Sequence, residues 1–190
     1  MKNLFHCLDL SDTLNHRACA TKNGNERAYL TLSGSAIPEE YIPFNQAFQF
    51  DTIPFIMFKN DIWDNIEMVG QRVYFSTVRA SSIHFIGTST ETDMTDNVIL
   101  ELDEQPVYST SLNLRYFASD PEPVFMNNRC VIQAPYIYSG TKINSIVKPS
   151  LWYTCISIQE PLEINSVVLA DNPCMHIFSI TVERQEGTGV

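Results

Sequence analysis

The stretch Pro149-Ser-Leu-Trp-Tyr-Thr-Cys-Ile-Ser-Ile158, continued by Ile164-Asn-Ser-Val-Val-Leu-Ala-Asp-Asn-Pro-Cys-Met-His-Ile-Phe-Ser-Ile-Thr-Val-Glu183, decides the fold. It is rich in β-branched and aromatic residues, which suit a pleated and half-buried surface. It predicts two strands, a tight turn at Asp171-Asn172-Pro173 and a closing strand that begins near His176.

Upstream, short runs of the same kind recur between turn signals. They are Tyr29–Leu32, Ile53–Phe58, Arg72–Ser76, Ser82–Gly87, Asn97–Leu102, Val107–Thr110, Leu112–Phe117 and Cys130–Gln133. Several alternate with period two. Ile83 and Phe85 share one face while His84 and Ile86 share the other. Leu112, Leu114 and Tyr116 lie opposite Asn113 and Arg115. No segment keeps a helical period over the ~11 or more residues that such an assignment needs. Asn23-Gly-Asn-Glu26 and Ser33-Gly-Ser35 read as turns, as does Gly87-Thr-Ser-Thr90. There is no repeat, low-complexity tract or linker, so residues 1–190 are expected to form a single antiparallel β-sandwich domain. Its expected core is Phe55, Phe75, Phe85, Leu100, Leu114, Ile156, Val167, Ile177 and Ile180.

Hydrophobic residues make up 44% of the chain and charged residues 18%, the balance of a folded globular protein. The formal net charge of −10 argues against nucleic acid and anionic membrane surfaces as partners. No apolar run reaches the ~18–20 residues that span a bilayer. The N-terminus, interrupted early by Asp9 and Asp12, lacks the pattern of a signal peptide. The expected location is cytoplasmic, or secreted if a leader has been removed. The five cysteines (Cys7, Cys19, Cys130, Cys155, Cys174) are odd in number, widely spaced and free of any C-x-x-C pair, so they read as reduced thiols packed mostly in the core.

Asp9-Leu-Ser11, Ile53-Pro-Phe-Ile56, Ile83-His-Phe-Ile-Gly-Thr88, Pro149-Ser-Leu-Trp152 and Val168-Leu-Ala-Asp-Asn-Pro173 with His176-Ile-Phe-Ser-Ile-Thr-Val182 occur in an order that covers most of the chain. That order resembles the β-sandwich modules attached to many bacterial glycoside hydrolases, of the galactose-binding-like, jelly-roll group. Ala170 stands where that pattern usually has proline, and Ser179 where it often has alanine. The resemblance implies a jelly-roll sandwich and a carbohydrate or related polyhydroxylated ligand. It also implies one structural calcium held by strand-end loops near the termini, for which Asp9, Asp12 and Glu183 are the candidate ligands.

A sugar binder needs aromatic faces to stack on and planar donors to pair with hydroxyl groups. Tyr136 and Tyr138 lie two residues apart on one expected strand face, and Arg115, His84 and Trp63 complete the candidate ligand site. Of Trp152 and Tyr153, on opposite strand faces, one is expected in the core. The alternative is a stand-alone jelly-roll cyclase, isomerase or lyase, with His84 and the loop carboxylates Asp93 and Asp96 as acid/base groups. A third reading is an accessory subunit that packs on a larger enzyme or forms a homodimer. His176 is expected to pack structurally at a strand end.

Overall fold

The computed structural model describes residues 4–22, 28–122, 126–140 and 142–185. The expected turn at Asn23–Glu26 therefore lies outside the described residues. The strands are β1 (Phe5–Cys7), β2 (Cys19–Ala20), β3 (Ser35–Pro38), β4 (Ala47–Phe50), β5 (Ile53–Ile56), β6 (Ile66–Val69) and β7 (Arg72–Ser89). They continue with β8 (Met94–Leu102), β9 (Gln105–Leu114), β10 (Arg129–Gln133), β11 (Ile137–Ser139), β12 (Lys142–Asn144), β13 (Ser150–Leu169) and β14 (Asp171–Arg184). A single 3-10 turn, Glu39–Tyr41, is the only helical element among the described residues. None of these residues forms a helix long and apolar enough to cross a membrane.

The chain is all-β, with antiparallel sheets packed against one another. The main sheet runs β1-β14-β7-β13-β8-β9, with β6 added to β14 and β10 to β13. A small sheet, β12-β11-β3-β2, and the hairpin β4-β5 lie outside it. Among the strand pairs of the described residues, only the short β2–β3 pair is parallel.

Three pairs of expected strands fuse into single long ones. Arg72–Ser76 and Ser82–Gly87 are both parts of β7, and the two halves of the deciding stretch before Asp171 are both parts of β13. Val107–Thr110 and the start of Leu112–Phe117 likewise join in β9. Pro161 is what makes β13 look like two strands. It lies where Ser157 and Leu162 face Ser82 and Ala80, so the extra residues bulge out of the ladder and no sheet hydrogen bond needs the missing proline N–H. Gly87–Ser89 is strand, not turn. A Cβ on Gly87 would come within 2.5 Å of the His176 carbonyl oxygen, so glycine is there to let two backbones approach. Asp171-Asn172-Pro173 is not a free turn either. It opens β14, with Asp171 and Asn172 paired to Val69 and Met68, and Pro173 falls in the bulge before His176. Tyr29–Leu32 is a bend and turn rather than a strand.

The main sheet curls on itself. Ser89 of β7 pairs with Tyr116, just beyond the end of β9, although three strand-to-strand steps separate β7 from β9 along the sheet. The curl encloses Phe85, Leu100, Leu112, Leu114, Ile156, Ile164, Val167, Ile177, Ile180 and Val182. The reverse face buries Ile86, Leu151, Tyr153 and Phe178 under Ile37 of β3, Phe55 of β5 and Ile137 of β11. Both faces are covered, which is why Trp152 and Tyr153 are both buried although they point in opposite directions. Of the expected core, Phe75 is only partly buried and Phe55 belongs to the reverse face. All five cysteines are free; Cys19 is buried and the other four are only half-buried.

Candidate functional site

The hairpin β4-β5 is tethered to the reverse face of the main sheet by side-chain hydroxyls. Ser179 Oγ donates to the Ile56 carbonyl at 2.8 Å, and Thr181 Oγ1 donates to the Pro54 carbonyl at 2.7 Å. Ser179 and Thr181 thus hold down the hairpin. On its free side β4 meets the Glu39–Tyr41 turn and β10 to form an open groove of about 450 Å³, lined by Tyr41, Phe48, Phe50, Gln46, Gln49 and Glu40, with Pro43, Ile42, Val131 and Ile132. Phe48 packs on Phe55, and Phe50 packs on Tyr153 with ring centroids 5.3 Å apart. The Arg129 guanidinium covers both Phe50 and Tyr153, and pairs with Asp51 at 2.6 Å. The groove therefore combines aromatic and aliphatic side chains with exposed amide and carboxylate groups.

Sequence reasoning passed over this groove. The legible signal was Ala47-Phe-Gln-Phe50, an alternating run joined by two residues, Asp51 and Thr52, to the recognised strand at Ile53. Asp51 takes a positive φ of 55°, as the short connection requires.

The tyrosines proposed from sequence lie beside the groove and do not line it. Tyr138 is buried, and only Tyr136 is part-exposed. Their rings meet edge to face at 5.5 Å, and Tyr136 also meets Tyr41 edge to face at 5.9 Å. Both hydroxyls donate to Oε1 of Glu40, that of Tyr138 at 3.4 Å. Donation to that carboxylate holds the Tyr136 phenol protonated well above the usual range. The pair thus holds the Glu40 carboxylate.

Arg115 and Trp63 do not join them. The Arg115 side chain is buried with its guanidinium 5.0 Å above the Trp152 ring, and its backbone N–H donates to Asn128. Trp63 is exposed in the loop before β6, where its backbone N–H donates to Asn60 Oδ1, and it does not line the groove.

His84 is buried on the reverse face. Its Nδ1 is 3.0 Å from the Tyr153 hydroxyl, and its Nε2 is 3.5 Å from Glu183 Oε2. Burial lowers its pKa, opposed by the Glu183 carboxylate. Asp9 folds back on its own turn, accepting from the Ser11 N–H and hydroxyl, and Asp12 is exposed. Among the described residues no three His, Cys, Asp or Glu side chains come together as a metal cluster. Asp93 and Asp96 are not an acid/base pair in a loop. Asp93 accepts from the Tyr116 N–H, whereas Asp96 lies within β8 and accepts from Asn172 Nδ2.

Sequence spacing gave no hint of a second polar cluster. His16 and His176 are buried with their rings 4.8 Å apart, bridged by the buried Asn65. Asn65 Oδ1 accepts from His176 Nδ1 at 2.9 Å, and Asn65 Nδ2 donates to His16 Nδ1 at 3.2 Å. These bonds set opposite tautomers on the two rings. Asn65 Nδ2 also donates to Asp64, whose carboxylate accepts from the Ala18 and Cys19 N–H groups. Burial pushes His16 down to about 4 and His176 down to about 3, and raises Asp64. The cluster ties the segment before β2 to β6 and β14, and does not open into the groove.

No protein-family model matches the chain, and no curated protein matches it.

Proposed function

We propose that this chain is a non-catalytic binding module for a carbohydrate or a related polyhydroxylated small molecule, held in the groove between β4, the Glu39–Tyr41 turn and β10. The single observation that carries this reading is the groove itself. At about 450 Å³ it is an open trough that combines aromatic side chains (Tyr41, Phe48, Phe50) with amide and carboxylate groups (Gln46, Gln49, Glu40). Sugar rings present apolar C–H faces to stack on aromatics and a rim of hydroxyls to pair with amides and carboxylates. The resemblance of the sequence to accessory modules of glycoside hydrolases, of the jelly-roll group, supports the same reading. The enzymatic alternative draws less support, because His16, His84 and His176 are buried and none of them lines the groove.

Calorimetric titration of the chain against a broad panel of mono- and oligosaccharides tests the proposal, with Tyr41→Ala and Gln49→Ala as groove variants. Both side chains are exposed, so their removal leaves the fold intact by circular dichroism while affinity falls about tenfold or more, the loss expected when a stacking or orienting contact is removed. Binding that survives both substitutions would move the site elsewhere. The absence of binding across the panel would overturn the module reading.

A further inference from the structure

We infer that the groove selects a positively charged ligand, an amino sugar whose ammonium group docks on Glu40 beside Tyr41. The inference rests on the binding-module reading of the same groove and names its substrate class. Three observations carry it. Glu40 is the sole charged side chain among the lining residues, which include no lysine, arginine or histidine. Its carboxylate is fixed asymmetrically. Oε1 takes the hydroxyls of both Tyr136 and Tyr138, while Oε2 receives no hydrogen bond or ion pair from the described residues. The flanking cation, Arg129, is already paired with Asp51 and spread over Phe50 and Tyr153.

An exposed carboxylate held by two buried or half-buried phenols has its direction set before a ligand arrives, which lowers the ordering cost of binding. Its second oxygen is open to accept from a ligand donor. Of the ligands that would fit, an ammonium group suits it best. It offers three donors to one carboxylate oxygen and to the side-chain amide oxygens of Gln46 and Gln49, and it is attracted to the face of an adjacent ring such as Tyr41. A divalent cation is served less well, because calcium takes ~6–8 oxygen ligands and the side chains of this groove supply one carboxylate and two amide oxygens. An acidic sugar fits less well, since it would meet Glu40 while the flanking Arg129 is already paired with Asp51, on a chain of net charge −10.

The test is calorimetric titration at low salt with short oligomers of one linkage, built from glucosamine, N-acetylglucosamine or glucose. It uses the wild-type chain, Glu40→Gln and Glu122→Gln. Glutamine keeps the shape and an acceptor for the two tyrosines, and Glu122 is an exposed carboxylate outside the groove. The expected result is that the glucosamine oligomer binds about tenfold or more tightly than the other two. Glu40→Gln should remove that preference, Glu122→Gln should leave it, and added salt should weaken it. If the three oligomers bind alike, or Glu122→Gln costs as much as Glu40→Gln, the charge selectivity is overturned while the binding-module reading stands. If none of the three binds, this inference fails, and the broad sugar panel decides separately whether the module reading fails with it.

Discussion

The two faces of the curled main sheet are built from different chemistry. The hydrophobic cluster inside the curl is almost wholly aliphatic, with Phe85 its one fully buried aromatic side chain. The reverse face of the same strands carries His84, His176, Ser179, Thr181 and Tyr153 among its apolar residues. The enclosed face closes against strands of its own sheet, so apolar side chains alone can fill it. The reverse face is covered by short irregular pieces (the segment before β2, the β4-β5 hairpin and the small sheet), and each exposes backbone groups that must find partners. Polar side chains are therefore needed there. Ser179 and Thr181 satisfy β5, Asp64 satisfies Ala18 and Cys19, and Asn65 satisfies two histidines. The groove lies on this second side, because only an irregular cover leaves a concave surface.

The sharpest way to separate the faces is to damage the enclosed one. Phe85→Ala removes a buried aromatic side chain with little room to collapse, and should cost about 3–5 kcal/mol in chemical denaturation. Ligand affinity of the molecules that remain folded should not change. Weakened binding in that variant would show that the two faces are coupled.

On the reverse face the next largest effect is expected from Asn65→Ala. It strands His16, His176 and Asp64 without their common partner, at about 2–3 kcal/mol by the same measurement. A cost below that of an ordinary surface substitution would mean that water reaches the cluster.

The histidine pair also makes the reverse face the acid-sensitive one. In the folded chain His16 and His176 are lowered from 6.5 to about 4 and about 3, chiefly by burial. The unfolded chain therefore binds more protons than the folded one once the pH drops below 6.5. Stability present above that value is lost progressively as pH falls through this window. The buried carboxyl of Asp64 and the half-buried Glu67, both raised by burial, act in the opposite sense nearer the carboxylate range. Thermal midpoints measured across pH should decline from 6.5 downward, and His176→Gln should flatten the decline. A wild-type profile already flat across that window would break the assignment.

Ser179→Ala tests the tether. It removes one hydroxyl donor and should cost about 1 kcal/mol. By loosening β5 it should also weaken ligand binding through β4, which Thr154→Val on the enclosed side of β13 should not do. Smallest in stability is Tyr41→Ala, an exposed change within about 0.5 kcal/mol, yet the one expected to reduce ligand affinity most. A large loss of stability there would make Tyr41 part of the scaffold.

The sequence by itself determined the all-β class, the faces of most core strands and most of the core. Period-two alternation is a local property, and Ile83 and Phe85 against His84 and Ile86 lie on opposite faces as their spacing dictates. It did not determine where strands end. Pro161 and the polar run Ser76–Ser82 look like breaks, and only the neighbouring strands reveal that the chain continues through a bulge at the first and as one strand at the second. Nor could it assign the polar residues. Tyr136 and Tyr138 were legible as a pair on one face, but their partner Glu40 lies 96 and 98 residues away in sequence. Comparably long separations hide Asn65 from His176, and Glu183 from His84. Alternation sets which side of a strand a side chain leaves from. What covers that side, and hence whether a polar group becomes a tether, a buried pair or a groove wall, is decided by contacts between segments far apart in the chain, and those exist only in the tertiary structure.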